Sequence, residues 1–157
     1  MTDKERLKSA IENGEYVVFF GGAGVSTASG IPDFRGANGI FTAGKRFSAE
    51  QIVSSGFFYA HPKEFYDFYK SKMLYPNALP NRAHLKLAEL ESRGKVKAII
   101  TQNIDGLHQK AGSKNVIELH GSALRNYCPR CGKSFDLNYI VKRSEEHTSE
   151  LQSPVPI

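Results

Sequence analysis

Tyr16-Val17-Val18-Phe19-Phe20-Gly21-Gly22-Ala23-Gly24-Val25-Ser26 is the stretch whose reading decides the fold. Its continuous apolar run, without polar alternation, reads as a strand buried on both faces of a parallel sheet. The glycine-rich turn behind it would then lie at the sheet's carboxyl edge, where free backbone N–H groups can hold a phosphate. Taken alone the turn has a second reading, a tight bend that only lets strand and helix approach. The third position of a G-x-G-x-x-G pattern is Thr27, and no acidic residue closes a second strand some twenty places on.

Upstream, Thr2 to Asn13 offers Thr2 or Asp3 as N-cap, an apolar face of Leu7, Ala10 and Ile11, and Gly14 as a stop, which predicts a short surface helix. Downstream, Ile31 to Phe58 has no sustained period and predicts a long loop or small inserted module. Helical spacing returns over His61–Leu74 and again over Asn81–Arg93, with Gly94 as terminator. Val96–Thr101 reads as a second buried strand, Ile104–Ala111 as a short helix closed by Gly112, and Val116–Leu119 as a third strand. Strands alternating with helices predict an α/β layered, Rossmann-like parallel sheet.

The chain has 157 residues, 40% of them hydrophobic, with 21 Lys+Arg against 16 Asp+Glu, consistent with one globular domain or part of one. Its positive charge is spread without a Lys/Arg block, so no dedicated nucleic-acid binding is expected. No apolar run approaches a membrane span and the N-terminus lacks a signal-peptide plan, which places the expectation in the cytoplasm, away from membranes. Cys128 and Cys131, its two cysteines, are too close for a disulfide framework. Residues 143–157 break the pattern. Arg143 to Ser153 matches the conceptual translation of a common sequencing adapter, so 143–157 is expected to be a non-native tail and 1–142 the domain portion.

The other strands also end in polar clusters, Thr101-Gln102-Asn103-Ile104-Asp105 and His120-Gly121-Ser122. Three strand ends on one edge would gather amides and a carboxylate beside a possible base. Asn103 or Asp105 could equally be only the N-cap of the following helix. Gly30-Ile31-Pro32-Asp33-Phe34-Arg35-Gly36 is dense chemistry for a loop, readable as a lid or as an Asp33–Arg35 surface pair with Phe34 in the core.

Gly22-Ala23-Gly24-Val25-Ser26, Gly30 to Gly36, Thr101 to His108 and Glu118-Leu119-His120-Gly121 stand in the order of the sirtuin family, and the chain resembles its bacterial members over about residues 1–142. The resemblance implies the N-terminal half of a Rossmann-like sheet and NAD-dependent removal of acetyl groups from lysines of proteins or peptides, giving nicotinamide and O-acetyl-ADP-ribose. It assigns Gly22, Ala23, Gly24, Ser26, Asp33, Phe34 and Arg35 to the cofactor, with Gln102, Asn103 and Asp105 at its ribose and nicotinamide ends. Asn103 and His120 become catalytic: His120 is the general base that activates a ribose hydroxyl, and Phe34 shields the reacting carbon. Histidine is the residue type whose ordinary titration lies nearest neutrality. His108 is implied to pack beside the site, while His61 and His84 read as structural. Family members preferring succinyl groups carry Tyr-x-x-Arg, whereas here Tyr66 is followed by Tyr69, which implies a preference for acetyl.

Cys128-Pro129-Arg130-Cys131-Gly132-Lys133 has the form of a zinc knuckle, which supplies two of four tetrahedral ligands, and no cysteine follows to complete them. A partial zinc-ribbon module is therefore expected from near 124, with a half site for zinc. The 157-residue chain itself is expected to be inactive. Two other readings stay open, a non-catalytic NAD-binding module and a zinc-ribbon interaction protein that pairs chains to complete its site.

Overall fold

The computed structural model describes residues 1–33, 47–128 and 131–142. Helix α1 (Asp3–Asn13) starts in a capping box in which the Thr2 hydroxyl accepts from the Glu5 N–H and the Glu5 carboxylate accepts from the Thr2 N–H. No residue of α1 is buried. Strand β1 (Val17–Gly21) runs into a 3-10 segment, Ala23–Ser29, closed by Gly30 in the left-handed region at φ +81°.

The stretch expected to be a long loop or a small inserted module contains α2 (Ala49–Ile52) and the start of α3 (Ser55–Ala60), two short helices. Ser48 caps the first in a capping box with Gln51, and Ser54 caps the second. Each helix is too short to show a period, so only these caps could have announced them. The helix expected over His61–Leu74 is α4 (Pro62–Phe68) followed by a π-helical turn, Tyr69–Met73. Phe57, Phe58, Phe65, Tyr66 and Tyr69 from these elements form an aromatic core that also takes in Leu74, Ala123, Cys128 and Ile140. Phe58 meets the Phe65 ring edge-on at 4.8 Å between centroids, a favoured aromatic geometry.

Helix α5 (Arg82–Ser92) begins at Asn81 and is followed by Gly94 at φ +72°. Strand β2 (Val96–Thr101), helix α6 (Leu107–Lys110) and strand β3 (Val116–Glu118) complete the sheet portion. The sheet is parallel with order β1-β2-β3, Val17 pairing with Val96 and Ile99 with Val116. The Glu91 carboxylate on α5 accepts from the backbone N–H groups of Lys114 and Asn115 and fastens the entry to β3.

Burial on both faces of β1 is not what the structure shows. Exposure alternates along the strand, with Val18 at 41% and Phe20 at 61%. In register with Phe20, Ile117 on β3 is also exposed, so one sheet face is open among the described residues. An apolar run reads the same whether one face or both are covered, and that explains the miss.

An antiparallel hairpin, β4 (Asn126–Tyr127) with β5 (Ser134–Phe135), and helix α7 (Leu137–Lys142) end the described chain. The expected tail at 143–157 lies outside the described residues, as do Phe34 and Arg35. No described helix is long and apolar enough to cross a membrane.

Candidate active site

β1, β2 and β3 deliver their carboxyl ends to one edge, and a hydrogen-bonded cluster forms there. Ser26 leaves the 3-10 segment with no solvent exposure. Its hydroxyl donates to Asp105 Oδ2 at 2.7 Å and accepts from Asn103 Nδ2 at 3.0 Å. The third contact of Ser26 is His84 Nε2 at 3.5 Å. The Asn81 N–H donates to His84 Nδ1 at 3.3 Å, so Nδ1 is the acceptor of a neutral ring and Nε2 carries the hydrogen that faces Ser26. One donation and two acceptances use the full capacity of the Ser26 hydroxyl.

Asp105 does two jobs. Its Oδ1 accepts from the Leu107 N–H at 2.9 Å at the start of α6, and its Oδ2 receives Ser26 and, at 3.3 Å, Asn103. The capping role and the site role weighed as alternatives from the sequence therefore coexist in one carboxylate. The helix itself begins at Leu107 rather than Ile104, because Gly106 takes φ +70°. Asn103 is steered by its own backbone N–H, which donates to Thr101 Oγ1 at 3.0 Å. Its side-chain NH2 goes to Ser26 and Asp105, which leaves Oδ1 as the group's acceptor for a ligand.

Ala23, Ser26, Gln102, Asn103 and Asp105 line one cleft together with Ile31, Pro32, Ile104 and, from the π-helical turn and beyond, Lys72, Met73 and Tyr75. Gly22 lies against Gln102, where an added Cβ would stand 3.0 Å from Oε1. A Cβ on Gly24 would meet nothing within 4 Å among the described residues, so among these the loop leaves room for an approaching ligand. Asp33 is partly buried but does not line this cleft, and Phe34 and Arg35 lie outside the described residues. His120 joins through the backbone, its Nδ1 standing 3.0 Å from the Gln102 carbonyl oxygen. A carbonyl can only accept, so Nδ1 carries the hydrogen and the neutral ring presents its lone pair at Nε2.

The sequence reading left out Asn81 and His84. Asn81 Nδ2 donates to the Val25 carbonyl at 2.8 Å and to Ser29 Oγ at 3.0 Å, so the α5 cap also pins the glycine-rich segment. His84, taken as structural from its helical spacing, is completely buried against Ser26. The signal was present as an Asn-x-x-His capping pair, but it does not distinguish a cap from a site residue. His108 packs beside the site as expected, 4.7 Å from the His84 ring and 5.7 Å from the Phe19 ring.

Both nitrogens of His108 lie buried without a hydrogen-bond partner among the described residues, and burial first, then the neighbouring His84, pushes its pKa down to about 4, with Asp105 opposing. Burial lowers His84 as well. In the unfolded chain His108 binds its proton near pH 6.5, whereas the folded chain resists doing so until about pH 4. The stability tied to the neutral ring is therefore whole above pH 6.5 and lost as the pH falls toward 4. The full difference is about 3 kcal/mol. Denaturant unfolding at pH 7 and pH 5 is expected to show a marked loss that His108→Leu flattens, and equal slopes for the two proteins would contradict this account.

The candidate zinc ligands lie apart, at the turn of the β4–β5 hairpin. The Cys128 N–H donates to the Lys133 carbonyl at 2.9 Å, the Gly132 N–H to the Cys128 carbonyl at 2.7 Å, and Gly132 takes φ +71°. Cys128 is buried and Cys131 exposed. Among the described residues no cluster of three or more His, Cys, Asp or Glu side chains forms a metal site. Two thiolates would supply at most two of a tetrahedral zinc's four ligands, so the expected half site for zinc is not shown among the described residues.

A parallel sheet with a glycine-rich turn, amides, a carboxylate and an imidazole at its carboxyl edge defines an α/β protein of Rossmann-like fold. The sequence profile described as the Sir2 family matches residues 22–154. The chain belongs to the Sir2 family. It is 59% identical over 145 residues to the NAD-dependent protein deacetylase of Clostridium perfringens, covering 90% of this chain and 59% of that one. Among solved structures it is similar to Sir2 with a deacetylated p53 peptide and 3′-O-acetyl ADP ribose, at 41% identity and TM-score 0.82 over 98% of this chain and 64% of that one. It is also similar to a Sir2 homologue in complex with NAD, at 38% identity and TM-score 0.79 over 98% and 61% of the two chains. The chain thus spans about three fifths of the length of the curated relatives it matches, 59% and 60% for two of them.

Proposed function

We propose that this chain is the cofactor-binding portion of a cytoplasmic NAD-dependent protein deacetylase that acts on acetyl-lysine in proteins or peptides and yields nicotinamide and O-acetyl-ADP-ribose. The observation that carries the reading is the placement of His120, fixed through Nδ1 on the Gln102 carbonyl next to the Ser26–Asn103–Asp105 cluster. Bound NAD supplies the ribose carbon at which nicotinamide is exchanged for the acyl oxygen. Asn103, with Oδ1 left as acceptor, and Asp105, already holding Ser26 and the α6 N–H, provide polar anchors whose geometry is set before a ligand arrives. Ala23 and Gly24 give the close backbone approach that a phosphate needs. His120 Nε2 takes a hydroxyl proton, and its orientation requires no side chain to move first. Release of nicotinamide in the presence of an acetyl-lysine peptide, measured on the full-length gene product, tests the reading. NAD binding without turnover by that product would overturn it.

For the 157-residue chain, NAD binding without turnover is the reading we favour, because β1 has β2 as its sole sheet partner among the described residues. Cys128 and Cys131 would hold zinc as two ligands of four, giving a structural rather than catalytic centre.

Acyl choice follows from Tyr69. Its side chain and that of Tyr66 are each 3% exposed within the aromatic core, so no guanidinium stands at position 69 to pair with an acidic acyl group. The full-length enzyme is expected to remove acetyl faster than succinyl, by about tenfold or more given the worth of a charge-assisted hydrogen bond. Parallel rates on matched acetylated and succinylated peptides decide it, and faster desuccinylation would refute it.

A further inference from the structure

We propose that the ion pair between Glu118 and Arg125, braced by Gln109, positions His120 for proton transfer, a role that rests on the reading of His120 as the base. His120 is the third residue of the turn 118–121. The Gly121 N–H closes that turn on the Glu118 carbonyl at 3.3 Å, with Gly121 at φ +70°. Toward the sheet, the Leu119 N–H donates to the Thr101 carbonyl at 2.9 Å and ties the same turn to β2. The ring's own hold among the described residues is the contact of Nδ1 with the Gln102 carbonyl, so its aim follows the turn that carries it.

Glu118 fastens this turn through its side chain as well. Although it carries a charge, that side chain is 7% exposed. Its Oε1 accepts from Gln109 Nε2 of α6 at 2.9 Å, and its Oε2 accepts from Arg125 Nη2, one residue before β4. One carboxylate thereby joins the sheet, α6 and the hairpin. A carboxylate withdrawn from water depends on its cation, and loss of the cation drives it back toward solvent. Glu118 would then shift, and with it the carbonyl that closes the turn. Arg125 is 68% exposed, so replacing it empties no part of the core. Ser26, Asn103 and Asp105 are held by a separate set of hydrogen bonds, which this change leaves in place.

Arg125→Met in the full-length gene product is expected to lower formation of O-acetyl-ADP-ribose about tenfold or more, since a small misplacement of a catalytic group is costly. KM for NAD should stay within about twofold, as should exchange of labelled nicotinamide into NAD with an acetyl-lysine peptide, which precedes the proton step. Arg125→Lys should bring product formation back to within about threefold of the unaltered enzyme, because the pair runs through one nitrogen that an ammonium can replace. NMR of isotope-labelled histidine, with His120 assigned from the His120→Ala spectrum, reads the ring without turnover. It should show the Nδ1–H tautomer in the unaltered protein and in Arg125→Lys, and an averaged tautomer in Arg125→Met. Unchanged product formation by Arg125→Met, a loss matched by an equal loss of nicotinamide exchange, or an unaltered His120 signal would each overturn the proposal. Absence of nicotinamide exchange in the unaltered enzyme would instead overturn the functional reading, and the His120 signals would still decide whether the ion pair fixes the ring.

Discussion

His120→Ala in the full-length gene product is expected to lower deacetylation by about 10²- to 10⁴-fold while NAD affinity stays within a few-fold. The asymmetry comes from where the ring sits. Its Nδ1 is committed to the Gln102 carbonyl, and it takes no part in the Ser26–Asn103–Asp105 hydrogen bonds or the glycine-rich loop. Removing it therefore costs a proton acceptor and leaves the phosphate and ribose anchors standing. Steady-state nicotinamide release and a binding isotherm for NAD, run on the same preparations, separate the two quantities. Near wild-type turnover by the alanine variant would remove His120 from the role of base.

The 157-residue chain as given is expected to hold no tightly bound zinc and to release no nicotinamide above background. Two thiolates leave a tetrahedral zinc two protein ligands short, so bound metal should be substoichiometric and removed by a mild chelator. The open sheet face adds a second liability. Val18 and Phe20 on β1 and Ile117 on β3 expose apolar side chains on that face, and β1 is an edge strand among the described residues, a combination that promotes association between copies. Elemental analysis, turnover with an acetyl-lysine peptide and sedimentation of the purified chain read out the three consequences. A monomer with one tightly held zinc per chain and robust turnover would defeat the expectation.

Legibility in the sequence followed physical cause. β2 falls at Val96–Thr101 as expected, and α5 within a residue of its expected ends, because Asn81 and Gly94 mark that helix chemically. The 3-10 form of Ala23–Ser29 and the π-helical turn at Tyr69–Met73 were not legible, since tertiary packing chooses between helix types that share similar periodicities. At the candidate site, Gln102, Asn103, Asp105 and His120 could be gathered on one edge from the sequence because they follow β2 and β3, and Ser26 because it closes the glycine-rich turn after β1, while their roles rest on the family resemblance. His84 could not, because a buried histidine on a helix face looks the same from the sequence whether it packs or hydrogen-bonds a serine 58 positions away.

The pairing of Val17 with Val96 has a consequence for how the protein is made. Parallel strands cannot close by a tight turn, and here the crossover carries an aromatic-cored helical module between them. During synthesis β1 leaves the ribosome roughly eighty residues before its partner, an interval on the order of 4–16 s at ordinary elongation rates. Through that interval Phe19 and Phe20 have no strand to pair with, while the local contacts of α2, α3 and α4 can already form. Chaperone demand should therefore peak before β2 emerges and fall once Val96–Thr101 docks.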